Sequence, residues 1–367
     1  MTEQELSAYI QAIRPADEAA MEAARRRQAQ LAKPPGSLGQ LEEISIRLAG
    51  VTGQVCPAMG KCRVAVFAAD NGVVAEGVSC TPPAVTLQQA VNMIFRKTGM
   101  SAMAAAFGDD VSVVDVGIDG DVPPVGVLDR KVRRGTGDIA REDAMTRQQV
   151  LDAMAAGMEQ AARARADGVT ALGIGEMGIG NTTTSAAVLA ALTGADIEAV
   201  TGRGGGLTDE GFLRKKEVLR QALALHRPDG SDVIGVLAGV GGLDLAAMTG
   251  AFLGCAHERV PAAVDGFISI AAALCAVRLC PAVRDVLFLS HDSYEVGYRI
   301  AAETLGLQPC LRLGMRLGEG SGCPLLFRVL EGACGVMRGM ATFGEASIED
   351  SYLDEIRAVD AFTVEGA

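Results

Sequence analysis

The chain has 367 residues, 49% of them hydrophobic, with no tryptophan, 4% aromatic residues and a net charge of −12. At roughly 150 residues per domain, this length predicts two domains, or one large α/β domain with an appendage. The negative charge and the scarcity of rings speak against a nucleic-acid surface, which needs a basic patch and stacking platforms.

Residues 1–30 predict one or two helices with an Arg-rich turn at Arg25 to Arg27, broken by Lys33-Pro34-Pro35-Gly36. Leu38, Leu41, Ile44 and Leu48 then recur at helical spacing. "RVAVFAA" (63–69) predicts a buried strand ended by Asp70-Asn71-Gly72, and one long helical pattern covers Thr86 to Phe107. "VSVVDVGI" (111–118) is a second strand, followed by a helix over 146–166 and a strand over 169–174. A glycine turn leads into an apolar helix that stops at Thr193-Gly194, a fitting cap. "SDVIGVLAGVGG" (231–242) predicts a further strand and glycine turn. Strand, turn and helix follow over 261–277, then strand and loop over 285–293.

Strands alternating with helices predict an α/β fold, a doubly wound, mostly parallel, Rossmann-like sheet. Ligands of such sheets sit at the carboxyl ends of the strands. Asp70-Asn71, Glu176, Asp244, Asp265 and Ser290-His291-Asp292 are each placed just after a predicted strand, which points to one shared cleft. The N-terminus, MTEQELSAYIQAIRP, is acidic and amphipathic, unlike a secretory leader. The longest apolar run, Phe267 to Val277, is too short to cross a bilayer. Nine scattered cysteines without Cys-x-x-Cys, and three histidines far apart, give no zinc pattern. They read as reduced, mostly buried thiols of a cytoplasmic protein.

Three glycine-rich stretches carry the chemistry. The first, "LGIGEMGIGNTTTSAAVLAAL" (172–192), matches Gly-x-Gly-x-x-Gly at 173–178. The acid that a dinucleotide site needs would be Asp196, but it follows the helix cap before any second strand. No Gly-Lys-Ser/Thr is present, so the stretch is no Walker loop. What remains is a phosphate cradle at a helix N-terminus, with Asn181 or Thr182 starting the helix. Ordinary capping is the plain alternative for Asn181 to Ser185. Glu176 is odd there, because a carboxylate repels phosphate. It suits a ribose hydroxyl or another acid–base group better.

The second stretch, "TGRGGGLTDEGFLRKKEVL" (201–219), joins flexible backbone to Arg203 and to Lys215 and Lys216 on an amphipathic helix. Either one lysine reaches a phosphate as a point charge, or both are solvated. In the third, "LRLGMRLGEGSGCPLLFRVLEGA" (311–333), Glu319 sits between glycines beside apolar sequence. It is a candidate general base whose pKa partial burial would raise, or else an acid that stabilises a helix dipole.

Seven stretches in order resemble one family. They are "KPPGSLGQLE" (33–42), "FAADNGVVAEGVS" (67–79), "GIGEMGIGNTT" (173–183), "GRGGGL" (202–207), "GGLDLAAMTGAFLGCA" (241–256), "VDGFISIAAAL" (264–274) and "RLGEGSG" (316–322). The chain resembles the nicotinate-nucleotide–dimethylbenzimidazole phosphoribosyltransferases of cobalamin lower-ligand activation over nearly its whole length. The resemblance implies transfer of a 5-phosphoribosyl group from nicotinate mononucleotide to an aromatic lower-ligand base, with inversion and without metal or cofactor. It implies a homodimer with a large α/β domain (61–304) and a smaller helical domain built from both chain ends (1–60 plus 305–367).

The resemblance makes Glu319 the base and puts the phosphate and ribose on Gly175, Gly178, Ile179, Gly180, Asn181, Thr182, Gly204 and Lys215, with Glu176 and Asp244 near ribose or nicotinate. It places Ser79 and Gln88 at the base pocket. Met177 and Leu317 are the expected apolar walls for a flat base. The chain departs from the family at "SHDSYEVGY" (290–298), with Asp292 for Arg, Val296 for Pro and Tyr298 for His, and at "CTPP" (80–83), where the family has Tyr-Pro. The base is therefore left open among benzimidazole, purine and phenol. A nucleotide-binding paralogue without activity, working with a partner chain, and a dinucleotide-dependent dehydrogenase are the rival readings.

Overall fold

The computed structural model describes residues 1–354. Six parallel strands form one sheet: β1 (Cys62–Ala69), β2 (Asp110–Gly117), β3 (Leu128–Asp129), β4 (Ala171–Met177), β5 (Ala262–Val264) and β6 (Leu287–Leu289). Their order is β3-β2-β1-β4-β5-β6. Val66 of β1 lies between Val113 of β2 and Gly175 of β4. Seven of the eight β1 residues are buried, as expected where helices cover both faces of a parallel sheet. Helices Arg147–Ala166 and Leu243–Glu258 pack on β1, and helix Cys323–Gly339 packs on β1, β4 and β5. The first two helices cross at glycine: a Cβ on Gly157 would fall 1.8 Å from the Ala247 carbonyl, and one on Gly250 would fall 2.0 Å from that of Met154.

The chain runs outward from β1 to β3 and returns on the other side of β1 as β4. The order reverses between β1 and β4, which opens a crevice at their carboxyl ends.

At the chain ends, helices Glu18–Gln30, Gln40–Thr52 and Cys323–Gly339 share a separate apolar cluster of Ala24, Leu31, Ile46, Ala49 and Met337. The Ala32 amide donates to the Ala341 carbonyl (2.9 Å) and the Phe343 amide to that of Gln30 (3.0 Å). Helix Glu3–Ala12 packs elsewhere, with Leu6 in the main core. Residues 355–367 lie outside the described residues. Among the described residues no helix is long and apolar enough to cross a membrane.

Three expectations about elements are corrected. Arg25 to Arg27 form no turn; they continue helix Glu18–Gln30, where Arg25 pairs with Glu18 and Glu22. The pattern over 86–107 is two helices, Val85–Ile94 and Gly99–Phe107. Arg96 breaks it with φ +58°, and Thr98 caps the second helix with Ser101. The stretch 231–242 is helix Val233–Val240, not a strand. Its wholly buried apolar run has no readable period, and the Asp232 side chain caps it by accepting the Gly235 amide. Asp244 therefore follows a helix and the Gly241-Gly242 turn, not a strand.

Candidate active site

A cleft of about 240 Å³ opens at the carboxyl ends of β4, β5 and β6, with the segment 78–89 that follows β1 on one side. Three glycine-containing segments from distant parts of the chain form it.

The first is the turn from β4 into helix Asn181–Thr193, and its glycines divide the work. A Cβ on Gly173 would fall 2.5 Å from that of Cys323, and one on Gly175 would fall 2.6 Å from the Gly320 amide nitrogen. These two glycines let helix Cys323–Gly339 and the loop before it press against the sheet. Gly178 and Gly180 make the turn, Gly180 with φ +94°. Gly178 to Thr182 line the cleft. No side chain caps this helix. Asp196, the rival dinucleotide acid, only caps the short helix Ile197–Val200 and ends no strand.

The Asn181 side chain instead donates to Glu176 and, at 3.0 Å, to Asp244. One amide group thus serves two buried carboxyls. Burial, with the Asp244 charge beside it, pushes Glu176 up to about 8. Burial pushes Asp244 up to about 6. Glu176 is therefore mostly protonated near neutral pH. A neutral carboxyl does not repel an anion, so Glu176 is compatible with a turn expected to hold phosphate.

The second segment is 202–206. Gly204 lines the cleft, and the wholly buried Lys215 of helix Asp209–His226 lies behind it. Lys215 Nζ donates to Thr182 Oγ1 (2.9 Å) and to the Gly202 carbonyl (3.1 Å). Burial pulls Lys215 down to about 8. Lys216 points to the surface and pairs with Glu198.

The third segment carries Glu319. Gly318, Glu319 and Gly320 all have left-handed backbone, φ +82°, +64° and +80°. A non-glycine residue pays about 1 kcal/mol for this conformation. Buried carboxyls hold it there. Asp265 accepts the amides of Gly320 (3.0 Å) and Gly322 (2.7 Å), and Glu176 accepts that of Glu319 (3.3 Å). The Glu319 carboxylate is 5% exposed, lines the cleft and accepts the Met100 amide (3.2 Å). Burial raises its pKa, while the Met100 amide and the Thr98 hydroxyl restrain the rise. The dipole it meets is that of helix Gly99–Phe107, not of the helix that follows it in sequence.

Ser79, Met177 and Leu317 also line the cleft; the Ser79 hydroxyl donates to the Thr81 carbonyl (3.3 Å). Three of the named residues stand behind the lining: Gly175, Lys215 and Asp244. Gln88 is exposed and does not line the cleft, whereas Gln89 does. The helix over Val85–Ile94 turns the neighbouring residue inward, and apolar spacing gives no way to choose between two adjacent glutamines. Asp265, His291, Glu295, Arg203 and Arg316 line the cleft and were not named as site residues. Asp265 and His291 had a signal, their place after predicted strands, and Arg203 had one in its glycine stretch; Arg316 and Glu295 lie in the stretches 316–322 and 290–298, where nothing set them apart from their neighbours. Of the departures from the family, Tyr298 is buried in the core, Val296 is exposed, and Cys80 and Thr81 line the cleft. Among the described residues no group of three His, Cys, Asp or Glu is arranged to hold a metal ion.

The chain that builds this crevice matches known proteins over almost its whole length. A family model described as phosphoribosyltransferase covers residues 13–348. The nicotinate-nucleotide–dimethylbenzimidazole phosphoribosyltransferase of Clostridium perfringens strain 13 is 46% identical over 341 residues, 93% of this chain and 94% of that protein. The chain belongs to the nicotinate-nucleotide–dimethylbenzimidazole phosphoribosyltransferase family. The Geobacter metallireducens member is 46% identical over 347 residues, 94% of this chain and 98% of its own. The Thermus thermophilus structure of such an enzyme superposes with a TM-score of 0.86 at 44% identity, covering 91% of this chain and all of that one. The fold is accordingly α/β, and the activity class is a pentosyltransferase.

Proposed function

We propose that the protein transfers the 5-phosphoribosyl group of nicotinate mononucleotide to a nitrogen of 5,6-dimethylbenzimidazole or a related base. The products are an α-ribazole-type 5′-phosphate and nicotinate, used in cobamide nucleotide-loop assembly. The observation that carries this reading is Glu319: a carboxylate fixed in left-handed backbone and facing the cleft. The base nitrogen bonds to C1′ while the C1′–nicotinate bond breaks, and that electron pair neutralises the pyridinium. The proton on the other base nitrogen goes to Glu319. A phenol would lose its O–H proton to the same group.

The phosphate fits the turn 178–180 with Asn181 and Thr182, Gly204, and Lys215 as the cation. Glu176 is placed to donate from its protonated oxygen to ribose or nicotinate. Asp244 orients Asn181 from behind, and Gly175 seats the Glu319 loop. Met177 and Leu317 supply apolar walls for the base, with Ser79 and, in place of Gln88, Gln89 at its edge.

We assign the two chain ends to a small domain that holds the Glu319 loop, which is seated on β4 at Gly175. Tyr294 and Leu313 are exposed on two segments that run side by side, joined by the Tyr294 amide to the Met315 carbonyl (3.2 Å). This apolar rim supports a homodimer, to be checked by sedimentation. Nine free cysteines, six of them buried, suit the reducing cytoplasm.

The test mixes the protein with nicotinate mononucleotide and, separately, dimethylbenzimidazole, adenine and p-cresol. Mass spectrometry follows nicotinate and the new nucleotide. A product with one of the bases is expected. Nucleotide binding without product from any of them would leave a paralogue that only binds.

A further inference from the structure

The Lys215 ammonium is wholly buried, yet its hydrogen-bond partners, Thr182 Oγ1 and the Gly202 carbonyl, are both neutral. No carboxylate of the described residues lies within ion-pair distance of it. A buried ammonium held only by neutral groups readily loses its proton. Across the same loop stands Glu295, on the segment after β6. It lines the cleft, and its Oε2 is buried with no hydrogen-bond partner. A Cβ on Gly202 would fall 1.7 Å from that oxygen, so the Glu295 carboxyl lies directly against the loop backbone. Glu295 and Lys215 therefore grip the 202–204 loop together.

We propose that Glu295 is a positioning residue for the phosphate grip: it shapes the Gly202–Gly204 loop and is the counter-charge that keeps Lys215 protonated until a phosphate arrives. The inference rests on the reading that Lys215 meets the substrate phosphate.

The other charges nearby are committed elsewhere. Arg214 and Lys216, on the lysine's own helix, pair with Glu210 and Glu198. Arg203 of the loop pairs with Asp209. Glu176, Asp265 and Glu319 belong to the 318–322 network. Glu295 is the charge that opposes the effect of burial on Lys215, and Lys215 in turn restrains the upward push of burial on Glu295.

Once a phosphate dianion sits on Lys215 it supplies the negative charge itself, and Glu295 becomes a repelling neighbour. Glu295→Gln keeps the shape but removes the charge. Its effect must then reverse with pH. At pH ~6.5 the lysine stays charged, so phosphate binds as well as or better than in the wild type. At pH ~8.5 the variant lysine has lost its proton, and binding weakens at least ~5-fold, the alkaline limb having moved down by about one unit.

Calorimetric titration with inorganic phosphate and with nicotinate mononucleotide over pH 6–9 reads this directly. Glu295→Asp, which retains the charge, should keep the wild-type limb; Glu295→Ala, which also removes the charge and must also lower the alkaline limb, replaces Glu295→Gln as the probe if the latter fails to fold. Superimposable pH curves for wild type and Glu295→Gln overturn the proposal. So does a weakening that is uniform in pH, because that reports loop shape alone. Lys215→Ala is the control for the underlying reading: if it binds phosphate like the wild type, the phosphate site itself is misplaced.

Discussion

Glu319 occupies a backbone conformation that glycine adopts without cost, and both of its neighbours are glycines. A side chain retained at such a position is held there by surrounding contacts, here the Asp265 and Glu176 carboxyls on the loop amides. Its raised pKa sets one pH limit. In the proposed reaction Glu319 is the base and must be ionised, so kcat/KM should fall as the pH drops through a value above the ordinary glutamate range. In the proposed phosphate grip Lys215 sets the other, since it would have to be charged there and burial pulls it down to about 8. A bell with its alkaline limb near 8 is the expected profile for kcat/KM against nicotinate mononucleotide; a flat response up to pH 10 would contradict the lysine's role. At this scale the sequence showed Glu319 and the 178–182 turn clearly, because glycine clusters mark unusual backbone. It did not separate Gln88 from Gln89, or reveal that Asp244 meets the Asn181 amide, because those depend on which face of an element turns inward.

At the scale of elements, β4 explains the repeated glycines of "LGIGEMGIG" better than a phosphate does. Gly173 and Gly175 face the helix and loop that carry Glu319, at distances where no Cβ fits. Gly175→Ala should therefore cost about 1–3 kcal/mol by overpacking. It should also lower kcat by up to ~100-fold, because the collision is with the Gly320 backbone and displaces Glu319. Gly332→Ala is the contrasting case. Gly332 lies in helix Cys323–Gly339 with open space around it, so alanine should stabilise by up to ~1 kcal/mol and leave turnover alone. Thermal melts and steady-state rates on both variants check the pair. The strand–helix alternation was legible for β1, β2 and β4 because their apolar runs end at polar or glycine turns. The run 233–240 was not, since a short, wholly buried helix and a buried strand look alike in sequence. The break at Arg96 was hidden for a different reason: Phe95 to Lys97 carry no glycine or proline to announce it.

For the whole molecule, the switch between β1 and β4 gathers buried carboxyls at one end of the sheet, and this leaves a mark on stability. Glu176 and Asp244 hold protons more tightly folded than unfolded. Between the ordinary carboxylate range and pH ~8 the folded state therefore binds the extra protons, so these two groups make stability fall as pH rises. Glu176→Gln should flatten that fall in a series of thermal melts from pH 5 to 8; an unchanged slope would mean that Glu176 is ionised throughout. The parallel sheet and the pairing of the chain ends follow from element order and from the family resemblance. The seating of helix Glu3–Ala12 on the main core, by Leu6, had no signal beyond ordinary amphipathicity.

The most direct test of the mechanism is Glu319→Gln, with nicotinate mononucleotide affinity and turnover measured on one preparation. Affinity should be unchanged while kcat falls at least ~100-fold, the usual scale for loss of a general base. Turnover equal to the wild type would show that another group takes the proton.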